Sequence, residues 1–305
     1  MSVSDPSSSN HSNNRQKAIR VPKRKILPRI LKFANKILAY LLMIGIVLAM
    51  ALPLFWMAAS SIKTEGENLS YPPTILPQEV TFDNYRYLFQ KTLFLTWFKN
   101  SLIVSITTTF FALSLSAMGA YAFSRFRYKF FEGFSRAILF AYMVPTILLV
   151  VPIFKIVSSV NLHNTTGSLI IVYIAFLLPY GLWTLRSYFS GAPREVEDAA
   201  LIDGCNRLQA FVLVVLPQVF PGLISTALFG FYVAWNEYLY ASVLLWSSNK
   251  MTLSAGVSTL LGEYMPPSWS VLMAASVMVT LPVIILFSFL QSFFVAGWGG
   301  GAVKG

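Results

Sequence analysis

The chain alternates between long apolar segments and shorter polar ones. A helix that spans a bilayer needs about 20 mostly apolar residues, because the hydrocarbon core is about 30 Å thick. The segments that meet this requirement are residues 37–60, 101–123, 137–157, 168–188, 219–245 and 271–295. They are continuously apolar instead of alternating with a period of two, which indicates helices rather than barrel strands. The pattern therefore predicts an all-α integral membrane protein with six transmembrane helices.

The polar segments differ in their basic residues, and this difference predicts an orientation. Lys and Arg are concentrated before the first span and in the loop between the second and third spans. Cytoplasmic segments of membrane proteins carry an excess of Lys and Arg. We therefore expect a basic, partly disordered cytoplasmic tail at 1–36, a transmembrane domain at 37–295 and a cytoplasmic tail at 296–305. The segments 63–99 and 247–270 are then external.

Composition supports a membrane location and excludes several other classes. Of 305 residues, 56% are hydrophobic and 11% are charged, and the mean hydropathy is +0.63. A soluble domain carries about 25% charged residues and would leave too much of this apolar surface facing water. Disordered chains, collagen-like rods and typical cytosolic enzymes are therefore excluded.

The residue types that usually carry chemistry are scarce. One Cys and two His exclude an internal disulfide and disfavour a zinc site. The sequence contains no G-x-x-x-x-G-K-[ST] motif, so we expect neither ATP nor another cofactor to bind to this chain. The net charge of +11 comes with no nucleic-acid-binding motif, and we therefore expect the basic tail to contact anionic lipid and no nucleic acid.

The loop at residues 190–218, between the fourth and fifth spans, is the most informative segment. Pro193 suits the start of a helix, and the carboxylates of Glu197 and Asp198 suit the positive end of the helix dipole. Gly204 is able to end that helix in a left-handed conformation. A second short helix then leads to the fifth span. This helix-turn-helix suits docking into a groove on another protein, and an amphipathic loop on the bilayer surface is the alternative.

The same loop resembles a motif of one transporter family. Residues 198–204 read Asp-Ala-Ala-Leu-Ile-Asp-Gly, and Phe211, Pro217 and Pro221 follow. This resembles the "EAA" loop of permease subunits of bacterial ABC importers, which reads E-A-A-x-x-D-G and continues with an aromatic residue and two prolines. The sequence departs from the pattern at Asp198, which is one methylene shorter than the family's Glu.

Two further motifs extend the resemblance over nearly the whole chain. Trp-Asn-Glu-Tyr at 235–238 is similar to the W-N-E-[FY] block of carbohydrate-type permeases, and the tail 294–305 is similar to their G-x-x-x-G-A-V-K-G ending. The chain is thus identified as a member of the carbohydrate-type ABC importer permeases, and it resembles the smaller permease of the maltose importer.

The resemblance implies a type I ABC importer permease fold and a set of partners. These are a second permease subunit, two copies of a P-loop ATPase that binds ATP and Mg, and an extracytoplasmic solute-binding protein, in a bacterial inner membrane. The chain itself would be half of a pathway for a sugar or sugar-like solute, and no enzyme. The residues implied in coupling to the ATPase are Glu197, Asp198, Ala199, Ala200, Asp203 and Gly204.

Further candidate residues lie in the fourth and fifth spans and in the external loop 247–270. Glu237 is an acidic residue inside a predicted span, where charge is costly, so we expect it to face the bundle interior or a watery cavity. A structural polar clamp is the alternative to substrate contact. The candidate pathway residues are Tyr173, Tyr180, Tyr232, Trp235, Asn236 and Glu237, and the aromatic members have core packing as their alternative. By the resemblance, Glu263, Tyr264, Pro266 and Trp269 contact the binding protein.

Two other classes of function remain to be weighed. A stand-alone secondary transporter usually has internal repeats and several intramembrane titratable groups, whereas this sequence shows no clear repeat and one such group. A membrane-embedded enzyme needs His, Asp or Cys clusters at membrane depth, and both His residues lie outside the predicted spans.

Overall fold

The computed structural model describes residues 26–126, 133, 137, 138, 140, 142–263 and 268–299, and every regular element within them is a helix. The chain consists of two compact units, Met1–Pro53 and Leu54–Gly305. The first unit contains the N-terminal part of helix α1 (Ile26–Ser61), and the second contains all later helices. The sequence-based prediction of an all-α fold is confirmed for the described residues.

The helices in chain order vary widely in length. They are α1 (Ile26–Ser61), α2 (Glu65–Asn68), α3 (Asp83–Lys91), α4 (Phe94–Arg125), a 3₁₀ turn (Thr146–Leu149), α5 (Val150–Ser159), α6 (Thr166–Gly191), α7 (Arg194–Ile202), α8 (Arg207–Gln209), a π-helix (Ala210–Val215), α9 (Leu216–Gln218), α10 (Phe220–Asn236), α11 (Leu239–Leu244), a second 3₁₀ turn (Ser248–Lys250), α12 (Leu253–Glu263) and α13 (Trp269–Gly299).

Four described helices are long and apolar enough to cross a membrane. They are Asn35–Ser61, Phe94–Arg125, Thr166–Gly191 and Trp269–Gln291. The bent pair Arg207–Gln218 and Phe220–Asn236 brings the number to five if it counts as one span. These segments match the predicted first, second, fourth, sixth and fifth spans.

The predicted third span, 137–157, is only partly described. Its second half forms the shorter apolar helix Thr146–Ser159, while residues 139 and 141 lie outside the described part. Of the predicted tails, residues 1–25 and 300–305 also lie outside it. Helix α1 begins at Ile26, inside the predicted N-terminal tail, and α13 continues to Gly299.

The helices α4, α6 and α10 form the centre of the second unit. One buried cluster joins Ala117 and Ala120 of α4 to Leu185 and Phe189 of α6. Small residues let helix backbones approach closely in a bilayer, where dispersion contacts replace the hydrophobic effect as the driving force. These three helices therefore provide a packed frame from which the EAA loop projects.

A close contact between α4 and α12 predicts that a larger residue at Gly256 lowers the stability of the protein. A Cβ atom added at Gly256 would lie 2.1 Å from Cδ2 of Trp97, a buried ring whose Nε1–H donates to the Ser248 carbonyl. Gly256→Ala should therefore destabilise the protein by about 1–3 kcal/mol through overpacking. Thermal unfolding in detergent measures the change.

The matched control for this substitution lies on the same helix. A Cβ atom added at Gly262 meets no atom within 4 Å. Gly262→Ala should leave stability unchanged or raise it by up to about 1 kcal/mol, since Ala favours the helix. Equal effects of the two substitutions would contradict the packing assigned to Gly256.

Candidate functional site

The EAA loop, residues 190–218, forms a short helix, a sharp turn and a second helical arm. Helix α7 follows Pro193, whose φ of −57° already suits a helix. The turn is made by Gly204, with a φ of +97°, and the Gly204 and Cys205 N–H groups donate to the Leu201 and Ala200 carbonyls at 3.2 and 3.0 Å. The predicted left-handed end of this helix at Gly204 is confirmed.

The second arm begins with a reciprocal cap and ends in a bend. The Asn206 side chain accepts from the Gln209 N–H at 2.9 Å, and the Gln209 side chain accepts from the Asn206 N–H at 2.8 Å. The chain continues through the π-helix and α9 and then turns by 80° into α10. Proline near the start of α9 and of α10, at Pro217 and Pro221, fits a helix that restarts after a break.

One side of α7 and its turn is exposed. The exposed residues include the carboxylates Asp198 and Asp203 and the small residues Ala199 and Gly204. Ile202, which the resemblance to the EAA motif did not single out, has 85% of its surface exposed. The loop therefore presents an apolar tip and a small-residue surface flanked by two negative charges.

The other side of α7 is packed against the chain, and two of the predicted coupling residues lie on it. Glu197 is 4% exposed and Ala200 is 8% exposed. The Arg125 Nε–H donates to Oε2 of Glu197 at 2.6 Å, and the Tyr121 hydroxyl donates to its Oε1 at 2.5 Å. Because a carboxylate at this site must be paired inside the protein, the bonds from Arg125 and Tyr121 to Glu197 fix α7 in place.

Arg125 is the hub of this buried cluster, a role that sequence reasoning missed. Besides Glu197, its guanidinium donates to the carbonyls of Phe189 at 3.1 Å and Ala192 at 3.4 Å. These carbonyls lie at the end of α6 and in the link to α7, where helix ends leave acceptors unpaired. A single Arg at the end of the second span therefore ties together α4, α6 and α7.

The predicted fifth span is interrupted at Glu237, so its prediction as one continuous helix is wrong. Helix α10 ends at Asn236, and Glu237 is extended, with φ −66° and ψ 127°. Its carboxylate accepts from the N–H groups of Tyr240 at 2.8 Å and Ala241 at 3.1 Å, and also from the hydroxyl of Tyr173. An acceptor at a helix start satisfies donors that lack a partner within the helix. Glu237 therefore acts as the structural clamp that the sequence left open.

Two predicted pathway residues, Trp235 and Tyr173, lie in the core. Trp235 is 1% exposed, packs edge-on against Phe98 at 5.5 Å between ring centroids, and donates through Nε1–H to the Val279 carbonyl at 3.1 Å. Tyr173 is 3% exposed. Aromatic side chains buried this completely contribute packing energy and have no surface for a solute.

The other predicted pathway residues keep accessible surface. Tyr232, which is 53% exposed, and Asn236 lie four residues apart on α10, and the Asn236 amide donates to the Tyr232 carbonyl at 2.9 Å. Tyr180 is partly exposed and packs on Phe229 with 4.0 Å between ring centroids. Tyr232 and Asn236 therefore mark an exposed polar-aromatic face of the bundle.

The loop before α13, which the sequence predicts to be external, is only partly described. Tyr264 and Pro266 lie outside the described residues, and of Glu263 only the backbone at the end of α12 is described. Trp269 is exposed at the start of α13. Glu65, a residue that sequence reasoning missed, accepts from the N–H groups of Trp269 and Ser270 and from the Ser268 hydroxyl, each at 2.9 Å.

This cap predicts a pH dependence. Burial opposes ionisation of Glu65, but the hydrogen bonds from Ser270, Trp269 and Ser268 outweigh it and lower its pKa below 4.5. A lowered pKa stabilises the folded protein above pH 4.5, and the effect is lost as the pH falls through the lowered value. Glu65→Gln should therefore lower the melting temperature most near pH 7, and the difference from the unsubstituted protein should shrink as the pH falls below 4.5. Glu79→Gln, at an exposed residue of the same segment, is the control. A difference that persists unchanged to pH 3 would contradict the cap.

The fold, the projecting loop and a match to a protein family together define the class: a multi-pass inner-membrane component of a binding-protein-dependent transport system. Residues 113–299 match the family described as "Binding-protein-dependent transport system inner membrane component", and the chain belongs to this family.

Relatives and solved structures agree with this family. The chain is 39% identical to the inner membrane ABC transporter permease protein YcjP of Escherichia coli, over 83% of this chain and 91% of the relative. It is 36% identical to the diacetylchitobiose uptake system permease protein DasC of Streptomyces coelicolor, over 88% and 95%. It is 35% identical to the trehalose/maltose transport system permease protein MalG of Thermococcus litoralis, over 87% and 96%.

A solved structure shows the same fold. A chain of a bacterial ABC transporter that imports alginate superposes with a TM-score of 0.74 at 24% identity, covering 90% of this chain and all of that chain. The fold is thus that of a type I ABC importer permease. The predicted membership of the carbohydrate ABC importer permeases is confirmed, because the similar relatives are transport permeases for sugars and oligosaccharides.

Proposed function

We propose that this chain forms half of the pathway of a sugar importer and docks an ATPase through the exposed side of α7. The observation that carries the proposal is the exposure of Asp198, Ala199, Asp203 and Gly204 on α7 and the turn after it, while the opposite side of α7 is fixed to the chain by the Arg125–Glu197 ion pair. Apolar surface with a charged rim is the usual composition of a protein interface. Exposed Ile202 is the apolar anchor, and the two Asp residues pair with cations of the partner.

Membership of the family supports the partners that we propose. Two P-loop ATPases hold ATP and Mg, a second permease of similar fold completes the pathway, and a solute-binding protein delivers the sugar from outside. Relatives named for diacetylchitobiose and for trehalose and maltose, and a neighbour solved with a pentasaccharide-bound periplasmic protein, support an oligosaccharide-like solute. Both termini and the EAA loop then face the cytoplasm.

The exposed polar-aromatic face of α10 suits the pathway. Tyr232 presents a ring that can stack on a sugar face, and Asn236 presents an amide that can exchange hydrogen bonds with hydroxyl groups. The side chains that remain candidates for solute contact are Tyr232, Asn236 and, at the edge of the core, Tyr180.

Reconstitution tests this proposal. The chain is purified with its companion subunits, and uptake of a labelled oligosaccharide into proteoliposomes is measured with the solute-binding protein. We expect a P-loop ATPase among the companions and loss of uptake when its P-loop Lys is replaced. Uptake that continues with the disabled ATPase would contradict the proposal and favour a secondary transporter.

A further inference from the structure

A single helix, α4, contacts both the EAA loop and the external loop that leads into α12. It contains 32 residues, and at 1.5 Å per residue it is about 48 Å long. Its C-terminal end carries Arg125, and its N-terminal end carries Trp97 and Ser101. The two ends have separate sets of polar contacts, which are described in turn.

The C-terminal end is fixed to α7 by several bonds in a small volume. Arg125 and Glu197 form an ion pair at 2.6 Å in which both side chains are 6% exposed. Arg194 of α7 donates to the Ser124 carbonyl at 2.8 Å. The Tyr121 ring packs against Phe211 of the π-helix, with 4.7 Å between centroids. A displacement of α7 would strain a desolvated ion pair unless α4 moved with it.

The N-terminal end holds the external loop in a comparable way. The Trp97 Nε1–H donates to the Ser248 carbonyl at 2.7 Å, and the Asn100 amide donates to the Met251 carbonyl at 2.9 Å. The Ser101 hydroxyl accepts from the Leu253 N–H at 2.7 Å, where both groups are buried, at the start of α12. Helix α12 in turn leads to the residues predicted to contact the binding protein.

The body of α4 is suited to transmit displacement between these ends. Its regular helix runs without interruption from Phe94 to Arg125, in contrast to the segment after α7, which contains a π-helix and an 80° bend. Packed, hydrogen-bonded elements carry coupling between distant sites when they move as units.

We propose that α4 relays movement of α7 to the external loop, with the Arg125–Glu197 ion pair as the inner joint and the Ser101–Leu253 hydrogen bond as the outer joint. This inference rests on the proposed function, because it presumes an ATPase on α7 and a binding protein at the external loop. Arg125, Glu197 and Ser101 are then positioning residues that touch neither nucleotide nor solute.

The test uses the complete complex in proteoliposomes and measures three quantities: assembly of the ATPase, basal ATP hydrolysis, and stimulation of hydrolysis by the loaded binding protein. Glu197→Gln removes the charge of the inner joint at constant size, and Ser101→Ala removes the outer acceptor. Each should lower stimulation and uptake about tenfold, with assembly and basal hydrolysis within twofold. Glu195→Gln, which removes an exposed charge from the same helix, is the matched control and should stay within twofold in all measurements.

The double variant, Glu197→Gln with Ser101→Ala, is decisive, because the two joints lie about 36 Å apart along one helix. If they act in series, the second substitution adds little once the first has broken the link, and the loss stays near tenfold. Losses that multiply to about a hundredfold would overturn the relay, because independent distant sites are additive. Stimulation within twofold of the unsubstituted complex in Glu197→Gln would also overturn it.

A milder variant covers the case in which Glu197→Gln fails to assemble. Tyr121→Phe removes one hydrogen bond to Glu197 and keeps the ring contacts, and it should lower stimulation about threefold. Unchanged stimulation in Tyr121→Phe would overturn the relay. A failure of the unsubstituted chain to assemble with any ATPase would instead overturn the proposed function, so the two failures are distinguishable.

Discussion

Gly204→Val should abolish coupled uptake while the chain still inserts into the membrane. The φ of Gly204 is +97°, and a left-handed conformation costs an L-residue about 1–2 kcal/mol, with a further penalty for a β-branched side chain. Space is not the obstacle, because a Cβ atom here would meet nothing within 4 Å. The backbone would relax by changing φ, which re-aims the turn after α7.

The expected loss of uptake is about 100-fold, the usual effect of a displacement of about 1 Å in a positioned site. Uptake into proteoliposomes and basal ATP hydrolysis are measured together. Gly191→Val is the matched control, since Gly191 ends α6 at the start of the same loop, has open space around its Cβ position and has no left-handed φ. Normal uptake by Gly204→Val would contradict the role of this turn.

Glu237→Leu should lower the free energy of unfolding of the protein by about 3–5 kcal/mol. The substitution leaves the N–H groups of Tyr240 and Ala241 and the hydroxyl of Tyr173 without their acceptor. Buried polar groups that lose their partner cost about 1–3 kcal/mol each. Thermal unfolding in detergent, with Glu237→Gln as the variant that keeps one acceptor oxygen, measures the effect.

A double-mutant cycle separates the clamp from general damage. In the Glu237→Leu background, Tyr173→Phe removes one stranded hydroxyl and should restore about 1 kcal/mol, whereas in the unsubstituted protein Tyr173→Phe should destabilise. Equal effects of Tyr173→Phe in both backgrounds would contradict the contact between these side chains.

The all-helical fold and most of the membrane spans could be predicted from the sequence, because a long apolar segment in lipid has few alternatives to a helix. The position of the break in the fifth span could not. Hydropathy is averaged over a window of residues. A single carboxylate among apolar residues, such as Glu237, is therefore assigned to the interior of a helix, where its charge is costly. In the structure Glu237 ends one helix and caps the next, and Ser254 satisfies the Trp235 carbonyl near the break.

The turn of the EAA loop was predictable for a local reason, and the roles within α7 were not. Gly204 follows a short helix, and glycine is the residue that tolerates a left-handed end. Glu197 and Asp198 are adjacent acidic residues with the same local propensity. Only the partner 72 residues away, Arg125, distinguishes the buried carboxylate from the exposed one.

Aromatic residues were the least predictable part of the candidate site. Trp235 and Tyr232 lie on the same helix, three residues apart, and both were candidates for solute contact. Side chains three residues apart on a helix lie on roughly the same side of it. The helix alone therefore does not decide which of the two rings is buried; packing of Trp235 against Phe98 does. The sequence contains no signal for that contact.

Cross-linking from the exposed side of α7 tests the central claim most directly. Cys205 is first replaced by Ser, and a single cysteine is placed at Ala199, which is exposed, or at Ala200, which is 8% exposed. A short photoactivatable cross-linker at position 199 should capture a P-loop ATPase in native membranes, and position 200 should react poorly. Capture of the extracytoplasmic binding protein, or of lipid alone, from position 199 would contradict the account.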